Sequence, residues 1–233
     1  MAPELGLGNS VSADPVSTLI LGNTYSVDFD GVDDYVEFSP ITFTADVTCS
    51  AWVKTTDTTA TVVGGAGGDG GSFSNFIYIA DDIVYFAAGN AAFATIPFDA
   101  SLNNDQWNHI VVVKQSGNNV VGYLNGVLQS GTVTYSATLS NTTTVKYLGR
   151  REDGVYFTGL MDEVAIFDSA LPAAQVSSIY NGGKPQSLAS YNPVAWWRMG
   201  DNDGGTGSTI TDQGSGGNNG TLTNSPAFST TIP

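Results

Sequence analysis

Aspartate is the residue type through which this chain could do chemistry. Asp30, Asp33 and Asp34 crowd one short stretch, Asp162 opens an Asp-Glu pair, and Asp212 stands in a run of Gly, Asn and Ser. Calcium takes six to eight oxygens in loose geometry from Asp, Asn, backbone carbonyls and water, which Gly-rich turns can supply. Asp162 falls in register with Leu160, Val164 and Ile166. Strand alternation therefore turns it inward, where an ionised carboxylate needs partners or a cation. The same five residues have a purely structural use, because Asp bonds backbone amides in turns. Candidate calcium ligands and candidate turn builders are both open readings at this point.

Other reactive types are scarce. Only four Glu occur, at positions 4, 37, 152 and 163, and no two stand i, i+4 on one strand. A glycosidase needs two carboxylates about 5–10 Å apart. Asp162 and Glu163 are adjacent in an extended segment, which predicts opposite faces and no shared cleft. His109, the single histidine, lies between Trp107 and Ile110 in a strand, where a core or strand-surface role outweighs that of a general base. Cys49, the single cysteine, alternates with Val47, Ala51 and Val53 and reads as a small core residue. One His and one Cys make a zinc site or a Cys/His nucleophile pair improbable. No enzymatic activity is expected.

The formal charge of −15, with seven Lys and Arg, leaves nothing to neutralise a phosphate backbone. An acidic surface suits solubility, metal cations or a basic partner. No apolar stretch approaches the roughly 18 residues a membrane span needs, and the opening residues lack a basic start and apolar run.

The elements that must position these residues are strands. Asp far outnumbers Glu, a balance that favours turns over helices. Short alternating runs recur every 8–12 residues between Gly, Asn and Asp, predicting a sandwich. Expected strands include 25–29, 35–38, 47–55, 60–64, 75–80, 82–88, 92–96, 107–115 and 119–124. Asn125-Gly126 between Tyr123-Leu124 and Val127-Leu128 predicts a type I′ hairpin turn. One helix is expected over Leu171–Tyr180, begun near Pro172 and stopped by Asn181-Gly182-Gly183. Residues 1–23 read as an arm or linker, 24–233 as one sandwich, and 184–192 as a polar connector inside it. Beyond the connector, Val194–Met199 and Thr221–Thr223 read as further strands.

Six blocks in order then resemble a known family. Val27–Val36 resembles the "FDG-x-DDYV" opening of laminin-G-like, concanavalin-A-like jelly rolls, and Trp52-Val53 their next strand. Gln106–Val111 is similar to "W-x-H-v-a", Tyr123–Gly126 to "Y-v-n-G", Gly159–Phe167 to "G-x-l-D-E-V-r-i-y", and Leu171–Gly182 to the family's terminal helix. The resemblance implies an all-β, two-sheet antiparallel jelly-roll sandwich with one short helix. Val194–Arg198 and Thr211–Leu222 resemble strands that normally precede the "FDG" block. Residues 193–222 therefore either supply them in circularly permuted order, pairing beside the strand of Val27 and Phe29, or complete a neighbouring copy. Intramolecular completion is preferred, because the connector spans at most about 30 Å.

Some members of the family hold a structural calcium near these motifs, which adds to the calcium reading of the five aspartates. The family also hosts lectins and surface proteins. A glycan site would need exposed aromatics, and Phe73, Phe93, Tyr135 and Tyr156 lie near loops, where they either stack on sugars or close the sandwich ends. The expected function is a non-enzymatic module of a virion or extracellular surface, used in capsid decoration, assembly or glycan attachment. Its partners would be other structural subunits or cell-surface glycans. The alternative is a carbohydrate-binding module of a secreted bacterial enzyme or adhesin.

Overall fold

Apolar residues at every second position make strands here, and two sheets bury them against each other. The computed structural model describes residues 22–44, 46–65, 75–88, 92–115, 117–140 and 142–233. The chain runs β1 (Ser26–Asp30), β2 (Tyr35–Phe43), β3 (Val47–Lys54), β4 (Thr59–Gly65), β5 (Asn75–Ala80) and β6 (Ile83–Ala87). It continues as β7 (Phe93–Pro97), β8 (Asn108–Gln115), β9 (Asn119–Leu124), β10 (Val127–Leu128), β11 (Thr134–Tyr135) and β12 (Thr143–Leu148). Then β13 (Thr158–Phe167) precedes the helix α1 (Ala173–Tyr180) and a 3-10 turn at Ala189–Tyr191. Last come β14 (Ala195–Trp197), β15 (Thr209–Ile210), β16 (Gly220–Thr223) and β17 (Ala227–Ser229).

The first sheet has the order β10-β9-β8-β3-β13-β1-β17 with β14 beside β13, and the second β11-β7-β6-β5-β4-β12-β2-β16-β15. All pairings are antiparallel, so the expected all-β sandwich with one helix is the fold. Val27, Phe29, Val36, Phe38, Ile110, Val112, Val164 and Trp197 belong to one core between the sheets. The unbroken apolar run of β8 has a second cause. Its alternate residues, Val111 and Val113, face outward beneath α1, where Val176 and Ile179 cover them with Phe167 and Trp196. The helix starts behind Pro172 and ends on Asn181 in the left-handed region. The hairpin turn also has its predicted positive φ, 51° at Asn125 and 76° at Gly126.

Beyond the connector, the C-terminal residues lie in the chain's own two sheets, with a placement that differs from expectation. It is β17 that flanks β1, through Val27↔Phe228, whereas β14 pairs with β13 through Val164↔Trp197. One edge of β13 is lined by β3; the other carries β1 along Thr158–Met161 and then β14 along Val164–Ile166. A three-residue β14 fits because β1 stops short. In the other sheet β16 pairs with β2. The expected arm, 1–23, lies outside the described residues except for Gly22 and Asn23, which are hydrogen-bonded into the sandwich. No helix among the described residues is long and apolar enough to cross a membrane.

Candidate functional site

The β1–β2 turn gathers three of the five candidate aspartates. Ligand oxygens of Asp30, Asp33 and Asp34 lie within 4.8 Å of one another. Asp30 Oδ1 accepts the Val32 and Asp33 N–H groups at 2.8 and 3.3 Å, and Asp34 Oδ2 accepts the Asp30 N–H at 3.2 Å. The amide of Val32 and then those around it hold Asp30 below the usual carboxylate range. Burial and then the neighbouring acids push Asp34 up. Among the described residues no Lys or Arg pairs with these carboxylates; the cations of the recorded ion pairs go to Asp105, Glu37, Asp153, Glu163 and Asp201. Asp28, Asp30, Asp34, Asn224, Ser225 and Ala227 line an adjoining cleft of about 260 Å³. The residues fit an open divalent-cation site with water completing the shell.

Asp162 and Asp212 are elsewhere, each bonded to the protein. Asp212 Oδ1 accepts the Trp196 and Gly214 N–H groups and Oδ2 that of Asn218, all at 2.7 Å. This carboxylate fastens the 213–218 loop to β14, which is the turn-building use. Asp162 is fully buried, accepting the Glu163 N–H at 2.7 Å and Asn23 Nδ2 at 3.0 Å.

The expectation that Asp162 and Glu163 point apart needs correction. A bulge interrupts the β3–β13 register between Asp162 and Ala165, and Glu163 takes φ 46°. Such a kink re-aims a side chain that strict alternation would send to the other face. Both carboxylates are buried in one network. Glu163 accepts Arg198 Nε at 3.0 Å and the indole N–H of Trp196. Arg198 Nη2 donates to Asp201 Oδ2 at 2.7 Å and the Gly22 carbonyl at 2.8 Å, while Asp201 Oδ1 caps the amides of Thr24 and Tyr25. Glu163 and Asp201 thus share one guanidinium, and Asp162 is held beside them by Asn23 and the Glu163 amide. Desolvation, then the charge of Glu163, pushes Asp162 well above the ordinary range; desolvation takes Glu163 to about 7 despite the opposing pull of Arg198. This is a lock between the start of β1 and the C-terminal segment, closed to substrate by its burial.

His109 Nε2 lies 2.8 Å from Ser50 Oγ, a base beside a hydroxyl. The pair is sealed under Trp52 and Tyr180, whose rings stack 4.9 and 5.9 Å from the imidazole, and burial lowers the histidine to about 3. A neutral, covered imidazole is packing. Cys49 is a buried free thiol that burial pushes far up.

Among the described residues, the outer face of the second sheet carries a partly exposed row of aromatic and hydroxyl side chains that ends at buried Thr61. Register partners share a face, and Thr61↔Tyr78, Tyr78↔Tyr85, Tyr85↔Thr95 and Thr95↔Thr134 form a line across β4, β5, β6, β7 and β11. At about 4.8 Å per strand the line is roughly 20 Å long. Phe93 joins it: the Tyr78–Tyr85 and Tyr85–Phe93 ring centroids are each 5.7 Å apart. All three rings are half-buried. Arg151 lies over Tyr78 at 5.0 Å, and Arg150 over Tyr35 and Tyr147. Phe93 was foreseeable from its place beside a loop, whereas Tyr78 was not, because Phe76–Ile79 is apolar throughout and alternation names no face. Tyr135 pairs with fully buried Ala94 and accepts the Val120 N–H at 3.2 Å, so it closes a sandwich end. Tyr156 bridges Arg150 in the loop after β12, and Phe73 lies outside the described residues.

Residues 30–177 match the family model Laminin_G_3, described as the concanavalin A-like lectin/glucanases superfamily. No curated protein matches the chain in sequence. A Bacteroides ovatus protein provisionally assigned as carbohydrate-binding aligns with a TM-score of 0.63 and 19% identity, over 90% of this chain and 60% of its own. The chain therefore spans less than two thirds of that protein. A heptameric SAP-like pentraxin from Limulus polyphemus aligns at TM-score 0.46 and 14% identity over 70% of this chain and 86% of its own. Domain 4 of AbnA, a Geobacillus stearothermophilus arabinanase solved with arabinotriose, aligns at 0.44 and 20% over 66% and 76%.

Proposed function

This chain belongs to the concanavalin A-like lectin/glucanase superfamily, and from that premise we propose that it is a non-enzymatic glycan-binding module. Its ligand lies along the outer face of the second sheet, on Tyr78, Tyr85 and Phe93. The observation that carries this is the in-register row itself, because aromatic rings beside threonine hydroxyls offer both an apolar platform and hydrogen bonds. A row of roughly 20 Å suits an oligosaccharide more than a single sugar. The carbohydrate-binding assignment of the Bacteroides ovatus protein, which shares the fold, supports the same class of ligand. The non-enzymatic reading is supported by the fate of the carboxylates: the Asp162–Glu163 pair is buried and bonded, and Asp30, Asp33 and Asp34 build a turn.

The module works at a surface, as part of a virion or of an extracellular protein that attaches to cell-surface glycans. The net charge of −15 supports a solvated exterior and disfavours nucleic acid. Calcium at Asp30, Asp33 and Asp34 would steady the β1–β2 turn and takes no part in the binding row.

Affinity electrophoresis in gels containing arabinan, xylan, laminarin or polygalacturonate tests the reading. At least one polymer should retard the protein, and Tyr85→Ala should weaken that interaction by about 1–2 kcal/mol, roughly five- to thirtyfold. Retardation equal in wild type and variant would place the ligand elsewhere.

A further inference from the structure

Among the described residues, Arg150 is the cation on this face that has no carboxylate partner. Its guanidinium lies over the rings of Tyr35 and Tyr147, 4.6 and 4.8 Å from their centroids. Stacking of this kind occupies the π face of the guanidinium and leaves the in-plane N–H donors for a further partner. Among the described residues those donors have none: Arg150 is in no ion pair, and its Nε is buried without an acceptor. Its neighbours differ. Lys146 is held by Glu37 at 2.6 Å, and Arg151 by Asp153. In a chain with 22 acidic residues an unpaired arginine is not explained by a shortage of acids. Thr61, the register partner of Tyr78, has a second buried polar atom without a partner, its Oγ1, on the same face. A buried donor without an acceptor costs desolvation free energy that an incoming acceptor recovers.

We infer that this face takes a glycan carrying an oxyanion, the carboxylate of a uronate or a sulfate, and that Arg150 receives that group. The guanidinium fork matches the paired oxygens of either oxyanion, and the two tyrosine rings hold it in place before the ligand arrives. Arg151, the next residue, lies over Tyr78 at 5.0 Å, so the fork adjoins the aromatic row on which the sugar rings rest. The inference rests on the binding face proposed above and names the chemical class of its ligand.

Binding is measured at about 0.15 M salt, where charges further apart than about 8 Å are screened. The probes are two matched pairs: polygalacturonate with its methyl ester, and a sulfated galactan with its desulfated form. Arabinan and xylan serve as uncharged references. At least one anionic polymer should bind about tenfold or more tightly than its neutral counterpart. Arg150→Gln should abolish that preference without shifting the unfolding midpoint, and Arg150→Lys, which keeps the charge and loses the fork, should restore only part of it. A preference that survives in Arg150→Gln overturns the inference. Equal binding within both matched pairs by wild type also overturns it, and this holds even if Arg150→Gln fails to fold. Neutral polymers bound in a Tyr85-dependent way would leave the binding face standing while removing the anionic ligand. Binding of no polymer at all would overturn both.

Discussion

Glu163 has left-handed backbone geometry inside a strand and a carboxylate that burial raises to about 7 from 4.5. The folded protein therefore holds a proton that the unfolded chain releases, so stability falls as pH rises from about 4.5 to about 7, by roughly 1–3 kcal/mol. Asp162, also raised, adds in the same sense. His109, lowered to about 3 from 6.5, acts oppositely, its contribution being lost as pH falls below about 6.5. Urea melts of wild type and Glu163→Gln from pH 4.5 to 8 separate the two, because only the difference between the curves belongs to Glu163. A difference that does not change with pH would contradict the buried-acid reading. The acidic turn makes a second prediction: calcium at 100 times its dissociation constant should add about 2.7 kcal/mol, and Asp30→Asn with Asp34→Asn should remove that gain. Asp212→Asn should lower stability and leave the calcium response intact, since its oxygens hold three amides. Asp162 is buried as expected but not on the expected face: the bulge takes it out of register with Val164 and Ile166, which face the core, and sets it opposite Trp52 beneath α1. The bulge itself was not legible, because an extra residue in a strand leaves no mark on alternation.

At the scale of elements, alternation and turn chemistry located β3, β5, β8, β9, the Asn125-Gly126 hairpin and the helix to within a residue or two. They failed where packing supplies the order. The alternation in β12 is only Val145 and Tyr147 long, and the short β17 has almost no apolar pattern; both are fixed by the strands beside them. The C-terminal segment shows what such pairing accomplishes. Fully buried Trp197 packs on Phe38 with ring centroids 4.4 Å apart and donates its indole N–H to the Asn218 carbonyl at 2.8 Å. Trp197→Ala should cost about 3–5 kcal/mol, measured by chemical denaturation. Removal of residues 193–233 exposes the core between β13 and β2 and should leave an insoluble or molten chain. Completion within one chain further requires an unfolding midpoint that does not depend on protein concentration; a midpoint that rises with concentration would mean that the segment belongs to a neighbouring copy.

For the molecule as a whole, the fold leaves the two sheets with unlike outer faces. The first is covered by α1 and a second apolar cluster, so it is committed to packing. The second carries tyrosines and threonines on β2, β4, β5, β6, β7 and β12 and, in the loop that follows, an arginine with no ion pair among the described residues; they come together only through sheet register. That is why the sequence pointed to loop aromatics: residues 35, 78, 85 and 150 are far apart along the chain, and no local pattern joins them. Glycan binding to this second face is the property to measure. Backbone amide chemical shifts, recorded while the tightest-binding polymer of the panel is titrated as a short oligosaccharide, test it directly. The largest changes should fall on Thr61, Tyr78, Tyr85, Phe93, Thr95 and Arg150. Changes concentrated instead around Asp28 and Asn224, or on the α1 face, would contradict it.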